Sequence, residues 1–461
     1  MRFCTLWRGA LKFPGVLLGT VFTLVALTGC HPSIGCLCGP FADNLDGTLT
    51  GLVGSRLTLQ NNSITGSQLN GPAANGANVV FGSADFNTSY NLTVETQPTN
   101  PSQTCVVANG TGTTSGTSNV TNITVTCTTN PPRFVYVANR GSNNVSAYTV
   151  DAMNGTLAAI AGSPFAAGDD PVAIAVDPTG THAYVVNQAN ATISAYTIDR
   201  TSGALTAVSG APFPTGPAPT SVAIDPSSSF VYVTSGDSGT VAVYSIKSSG
   251  ALTVVTSSPF AAGTLPSSVT VSPLDNNVYV ANQSDGTVSA FGIDSNGALT
   301  ALSGSPFAAG TGPRAVIVDP SGQYVYVANA TSNTLSGYNN LQGPLAVLTG
   351  SPYSTGSSPR SIAVDPLDNF LYVANEYSNN ISAYALGASG TLTALAGSPF
   401  AAGREPSAVA VDPTSSFVYV ANASVGNVSV FAINGGTGAL VAVTGSPYTA
   451  GSLPSAIAIS D

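Results

Sequence analysis

Charge is scarce in this chain. Of its 461 residues only 7% are Asp, Glu, Lys or Arg, against roughly a quarter in ordinary soluble domains. The 11 Lys and Arg do not balance the 21 Asp and Glu, and the formal net charge is -10. With so few basic residues there is no electrostatic footprint for a phosphate backbone, which excludes nucleic acid as a partner. Histidine is nearly missing as well. His31 and His182 are the only two, so the side chain most suited to moving protons near neutral pH is almost unused. No Gly-x-Ser-x-Gly elbow, phosphate-binding glycine loop or His/Cys cluster at metal-ligand spacing occurs, and no metal or cofactor is expected. What is plentiful is apolar and turn-forming: 43% apolar residues, 49 Gly and 31 Pro. That mixture provides a sizeable core and many turns, the composition of an all-β protein.

The first thirty residues read as an export signal. Arg2, Arg8 and Lys12 precede an apolar stretch from Val16 to Leu27, which is short for a membrane span, and the segment ends Leu27-Thr28-Gly29-Cys30. This ending resembles a bacterial lipobox, which implies a signal peptide over 1–29, a lipidated Cys30 and the membrane as a partner through that lipid. The alternative is a plain secretory signal or an uncleaved anchor. His31 stands where an aspartate would mark inner-membrane retention, so the expected location is the outer membrane or cell surface. Four further cysteines remain, and an oxidising compartment favours disulfides among them. Cys105 and Cys127 flank a Gly/Thr/Ser-rich stretch that reads as a hairpin and are expected to pair. Cys36 and Cys38 are too close for an easy mutual bond.

A tether over 30–45 leads to a small β domain over 46–129. Segments from Leu49 to Leu59, Ala77 to Phe81, Tyr90 to Val94 and Val120 to Val125 alternate or cluster apolar residues between turn residues. An Ig-like or related sandwich that acts as a spacer is expected. Pro131-Pro132 marks the boundary.

Beyond it the chain repeats. Asn139, Asn187, Ser235, Asn282, Asn329, Asn375 and Asn422 close equivalent runs such as Phe134-Val135-Tyr136-Val137-Ala138-Asn139, at spacings of 48, 48, 47, 47, 46 and 47 residues. A second marker places proline in a Gly-Ser-Pro-Phe type turn at 164, 212, 259, 306, 352, 399 and 447. Each repeat holds four strand-sized segments, as a propeller blade requires. In the copy that begins at Pro359 these are Ser361–Val364, Phe370–Ala374, Asn380–Tyr384 and Thr391–Leu395. The repeat region opens at Arg133 on a second strand and ends at Ser455–Ile459 on a first strand, and joining the two pieces completes a seventh blade. The fold expected over 131–461 is therefore a seven-bladed β-propeller latched by its own termini. A β-solenoid has shorter rungs and no use for the split repeat.

In such a ring, whatever recurs in every copy is scaffold, and a unique site comes from residues that break the repeat. Asp177, Asp225, Asp319, Asp365 and Asp412 all precede proline and read as turn-forming residues. The recurrent Asn139-type residue reads as a turn residue tolerant of left-handed geometry, and His182 as an exposed turn residue on the face away from the pocket. On the other face, Asp169, Asp170, Asp237 and Asp285 fall in early repeats, while Arg314, Arg360, Glu376, Arg404 and Glu405 fall in three consecutive later ones. Arg314 and Arg360 follow a proline at the start of an innermost strand and should point to the axis, where two guanidiniums and a carboxylate could hold a carboxylate or sugar acid. The bland alternative is surface ion pairing of Arg360 or Arg404 with Glu376 or Glu405.

The repeat, with its Tyr136-Val137-Ala138-Asn139, Asp-Pro and Gly-Ser-Pro-Phe elements, resembles the lactonase-type propeller family, including 6-phosphogluconolactonase-like and carboxymuconate-cyclase-like proteins and YVTN-repeat surface propellers. In the lactonase branch a Gly-Pro-Arg-His stretch opens a blade and an Asn-Glu pair closes a second strand. Here Gly312-Pro313-Arg314, Pro359-Arg360 and Asn375-Glu376 are kept, but the histidine places hold Ala315 and Ser361. The first expectation is therefore a lipid-anchored propeller that binds a small molecule, glycan or protein without turning it over. The second is a divergent lactonase using Glu376, Arg314 and Arg360, and the third a purely structural surface component.

Overall fold

The computed structural model describes residues 42–460, apart from 55, 63, 71–73, 86, 99–102, 116–117, 131–133 and 341–343 and the side chains of 64–68. The expected signal segment over 1–29, Cys30, His31, Cys36, Cys38, Pro131-Pro132 and Arg133 lie outside the described residues.

The first sheet residues are β1 (Ala42–Thr50), β2 (Leu57–Asn61), β3 (Ile64–Leu69), β4 (Gly76–Asp85), β5 (Ser89–Thr96), β6 (Gln103–Ala108), β7 (Thr111–Thr113) and β8 (Val120–Thr129). They form two four-stranded sheets, ordered β4-β1-β8-β6 and β3-β2-β5-β7, which share one core of Leu45, Leu49, Leu57, Leu59, Phe81, Tyr90, Leu92, Ile123 and Val125. One expectation is corrected. The sheet starts at Ala42, so the last residues assigned to the tether are strand. The segment Leu49–Leu59 spans the end of β1 and the start of β2, and between them Gly51 takes a φ of 74°, a conformation glycine adopts without Cβ strain. Cys105 and Cys127, cross-strand partners on β6 and β8, form a disulfide.

From Phe134 onward the chain builds seven sheets about an axis. Each of six consecutive units is a four-stranded antiparallel meander, such as Pro359–Val364, Phe370–Asn375, Asn380–Leu386 and Leu392–Ala394. The units beginning at Pro171, Pro219, Pro266, Pro313, Pro359 and Pro406 are blades I to VI. Blade VII joins the two ends: Pro454–Ser460 pairs antiparallel with β9 (Phe134–Asn139), with Ile457 opposite Val137 and Ser460 opposite Phe134. Successive innermost strands pack side by side, the last against the first, so the ring closes. One detail exceeds the expected four strands. After each of the seven cis prolines a two-residue strand, such as Phe400–Ala401, folds back onto the third strand.

The core lies between the blades, in seven apolar clusters, one per interface. Second strands are buried on both faces because each is sandwiched by two neighbours: Tyr136 and Ala138 face blade I, whereas Val135 and Val137 face blade VI. The tyrosine of this strand also ties blades together through its hydroxyl. Tyr136, Tyr184 and Tyr372 donate to the carbonyls of Gly203, Gly250 and Gly438 at 2.9, 3.0 and 2.9 Å.

The Asp-Pro carboxylates cap their turns. Asp412 Oδ1 accepts from the amides of Ser416 and Phe417, both at 2.7 Å, and Asp365 accepts likewise from Asn369 and Phe370. The Asn139-type residue, in contrast, is not a left-handed turn residue. It ends the second strand fully buried, and its amide bridges elements: Asn139 Nδ2 donates to Ser146 Oγ at 2.9 Å while its Oδ1 accepts from the amide of Gly451 at 3.0 Å. In blade VII the buried amide thus satisfies both ends and joins the third strand to the segment arriving from the preceding blade, whereas in blades V and VI Asn375 and Asn422 keep the bond to the third strand and leave Oδ1 without a partner. Left-handed geometry falls instead on later loop residues such as Asn143, Asn333 and Asn379. His182 is also corrected. Its side chain is only 12% exposed, because the first residue of each second strand fills an inter-blade slot. There it lies against Gly250, where an added Cβ would come within 2.3 Å of the ring. Phe370 fills the same slot against Gly438.

Candidate ligand-binding site

The axial channel opens at two mouths, each a cavity of about 420 Å³. One is ringed by the turns after the inner strands, with Pro178, Pro226, Pro320, Pro366 and Pro413 of the Asp-Pro turns, Pro273 after Ser272, and the valines and isoleucines before them. These residues recur from blade to blade and are scaffold. The other mouth is polar and collects the residues that break the repeat.

The backbone makes this collection possible. In all seven inner strands the pairing register slips just after the opening proline, as between Pro313 and Ala315 or Pro359 and Ser361. Such a bulge leaves one residue unpaired and re-aims its side chain. The seven residues so placed are Val172, Thr220, Ser267, Arg314, Arg360, Ser407 and Ser455, and all line the polar mouth. Four of them are scaffold: the hydroxyls of Thr220, Ser267, Ser407 and Ser455 donate to the proline carbonyl that opens the next blade, at 2.6, 2.9, 2.6 and 2.7 Å. Arg314 and Arg360 replace two members of this hydroxyl ring with cations.

A second position supplies the counter-charge. The residue after the buried Asn or Ser of each second strand is Arg140, Gln188, Gly236, Gln283, Ala330, Glu376 or Ala423. Glu376 lies between the two arginines. Arg314 Nη1 donates to its Oε2 at 3.1 Å, and Arg360 Nη1 donates to its Oε1. Ser358 Oγ adds a contact at 3.5 Å to Oε2. The Glu376 side chain is 13% exposed, Arg360 21% and Arg314 34%. Burial, followed by the nearness of Arg314, pulls the Arg360 guanidinium down from its usual range, against the pull of Glu376; Arg140 adds to the lowering. Arg360 therefore lies within the field of both Arg314 and Arg140.

Arg140 is the residue that reading the sequence missed. Its Nη2 donates to Asp170 Oδ2 at 3.1 Å, with a second contact through Nε, and that hydrogen bond holds its own guanidinium above the ordinary value. The signal was present in the sequence, because Arg140 follows Asn139 as Glu376 follows Asn375. Arg404 and Glu405 lie on the same face but are exposed, make no ion pair among the described residues, and do not line the cavity. The structure thus brings Arg314, Arg360 and Glu376 together and leaves Arg404 and Glu405 on the rim. The two places of the absent histidines, Ala315 and Ser361, also line the mouth; Ser361 Oγ accepts from the amide of Val409 at 3.1 Å.

Seven radial sheets, a terminal latch and a charged axial mouth define a seven-bladed β-propeller with a channel-mouth site. The sequence matches the family described as lactonase, seven-bladed β-propeller, over residues 95–224, 212–306 and 291–452, and the chain belongs to that family. No curated protein matches it. Solved structures that it resembles include a Bacteroides uniformis protein assigned as a candidate 6-phosphogluconolactonase, at 18% identity and a TM-score of 0.64 over 72% of this chain and 100% of the other. A Lactobacillus plantarum protein aligns at 22% identity and 0.62 over 72% and 100%. The Pseudomonas aeruginosa periplasmic gluconolactonase PpgL aligns at 20% identity and 0.60 over 71% and 99%. At these identities the likeness is one of fold.

Proposed function

We propose that this protein is an exported propeller, anchored to the cell envelope through a lipid on Cys30, that binds an anionic ligand at the arginine-lined mouth without chemical turnover. The carrying observation is the double hydrogen bond from Arg314 and Arg360 to Glu376. A carboxylate that accepts from two guanidiniums is placed as their internal counter-ion. Its two oxygens are already occupied, and the neighbouring histidine places are Ala315 and Ser361. Among the described residues the ion pairs at the mouth join three cations, Arg140, Arg314 and Arg360, to two carboxylates, Asp170 and Glu376, which supports binding of an anion.

Family membership favours a second reading, a divergent lactonase acting on a sugar-acid lactone, with Glu376 as base and Arg314 and Arg360 facing the developing oxyanion. To separate the two, the protein is assayed against a panel of aldono- and uronolactones. Turnover that Glu376→Gln abolishes would overturn the binding-only reading. Absence of turnover, together with saturable binding of gluconate that Arg360→Gln weakens, upholds it.

A further inference from the structure

We propose that the arginine-lined mouth receives the end of an acidic oligosaccharide, a chain of uronic-acid residues, and that Tyr377 is the stacking platform for the sugar that lies outside the cavity. The proposal rests on the anionic-ligand reading above and names its ligand class.

Three observations carry it. Two residues after the buried Asn or Ser of each second strand the blades have Gly141, Ala189, Asp237, Ser284, Thr331, Tyr377 and Ser424. Blade V alone places a large side chain there, and it is 71% exposed. A single exposed apolar side chain needs no explanation by itself. This one directly follows Glu376, and the loop that presents it is pinned: the Tyr377 amide donates to the Ser357 carbonyl at 3.2 Å, and the Ser357 amide to Ser378 Oγ at 2.6 Å. The backbone that carries the ring is thus held in place, and exposed aromatic faces with a polar tip are suited to such contacts.

The second observation is the chemistry of the wall. Besides the arginines it offers Gln188, Gln283, Ser221 and Ser268, which are donors and acceptors for hydroxyl groups, set among small and aliphatic side chains such as Val172 and Val222. Guanidiniums beside hydroxyl-seeking groups match a polyol that carries a carboxylate. The third is extent. Tyr377 does not line the cavity of about 420 Å³, so a ligand confined to the cavity does not reach it. A ligand that continues outward as a chain does.

The test uses the full chain in detergent and calorimetric titration with galacturonate, tetragalacturonate, maltotetraose and tetraglutamate. We expect tetragalacturonate to bind about tenfold more tightly than galacturonate, a gain of the size a single aromatic contact provides. Maltotetraose should not bind. Tyr377→Ala should bring the tetramer close to the monomer's affinity, Tyr377→Phe should retain the gain, and Arg360→Gln should weaken both acids. A tetramer no tighter than the monomer, or a gain that survives Tyr377→Ala, overturns the oligosaccharide inference and leaves the anion reading standing. Tetraglutamate binding as tightly as tetragalacturonate with the same Tyr377 dependence overturns it in favour of a peptide. If neither sugar acid binds, or binding ignores Arg360→Gln, the anion reading fails first.

Discussion

Replacing Glu376 by Gln keeps the shape of the side chain and removes the charge that lies between two guanidiniums. Stripping one partner from a fully buried ion pair costs about 3–5 kcal/mol, whereas an exposed pair is worth about 0–1 kcal/mol. The trio lies between these limits, with side-chain exposures of 13, 21 and 34%, and the glutamine carbonyl can keep one of the hydrogen bonds. A loss of about 2 kcal/mol follows. An unfolding entropy of about 2.1 cal/mol/K per residue gives roughly 0.7 kcal/mol/K for a propeller of this length, so the melting temperature should fall by about 3 °C. The same change frees Arg314 and Arg360 to take an external carboxylate. Gluconate should then bind the variant about tenfold more tightly than it binds the natural protein, because charge-assisted hydrogen bonds no longer compete with an internal acceptor. Differential scanning calorimetry with and without gluconate reads both effects. An unchanged melting temperature would show that the trio contributes no stability. Loss of gluconate binding in Glu376→Gln would show that the carboxylate itself contacts the ligand, and would refute the charge argument.

Other expectations concern the frame that holds the site. Tyr372→Phe removes a buried donor to the Gly438 carbonyl and should cost about 1–2 kcal/mol, measured by chemical denaturation; a cost near zero would mean that water replaces the hydroxyl. Deleting 454–461 removes the innermost strand of blade VII and bares the edge of β9. The truncated chain should lose its single cooperative melting transition and aggregate, and a monomer that melts as before would contradict a ring closed by its termini. Burial and the adjacent Asp319 push the Asp368 carboxyl up to about 8. Between the ordinary carboxylate range near 4 and about 8 the folded state keeps a proton that the unfolded chain has released, so this group makes stability fall as pH rises. Asp368→Asn should therefore melt well above the natural protein at pH 9 and nearly with it at pH 4, and a difference that does not grow with pH would refute this assignment.

Much of the wheel was legible in the amino acids. A period of 46 to 48 residues, four apolar segments per period and a repeat split between the two ends leave little freedom for the architecture, since each segment must bury two faces between neighbours. Roles within the repeat were less legible, because the same residue type serves different ends. Asn139 looked like a turn residue, yet it is a buried bracket, since what distinguishes the two is the presence of Ser146 and Gly451 within hydrogen-bonding distance. His182 looked exposed because a histidine after a turn usually is, and only the packing of blade II against blade I closes its slot.

The charged residues divide in the same way. Reading the chain put Arg314 and Arg360 at the axis, since both follow an inner-strand proline, and it kept Arg404 and Glu405 as equals of Glu376. The pairing of Arg360 with Glu376, residues on paired strands of blade V, was among those the sequence offered, whereas the contact of Glu376 with Arg314 of blade IV, 62 positions away, is not set by periodicity alone. Local pattern determined the strands, the repeat and the closure, because those follow from which side chains must leave water. The contact of Arg314 with Glu376 was decided only when blade IV packed against blade V, and Arg140 came to line the same mouth only when the ring closed.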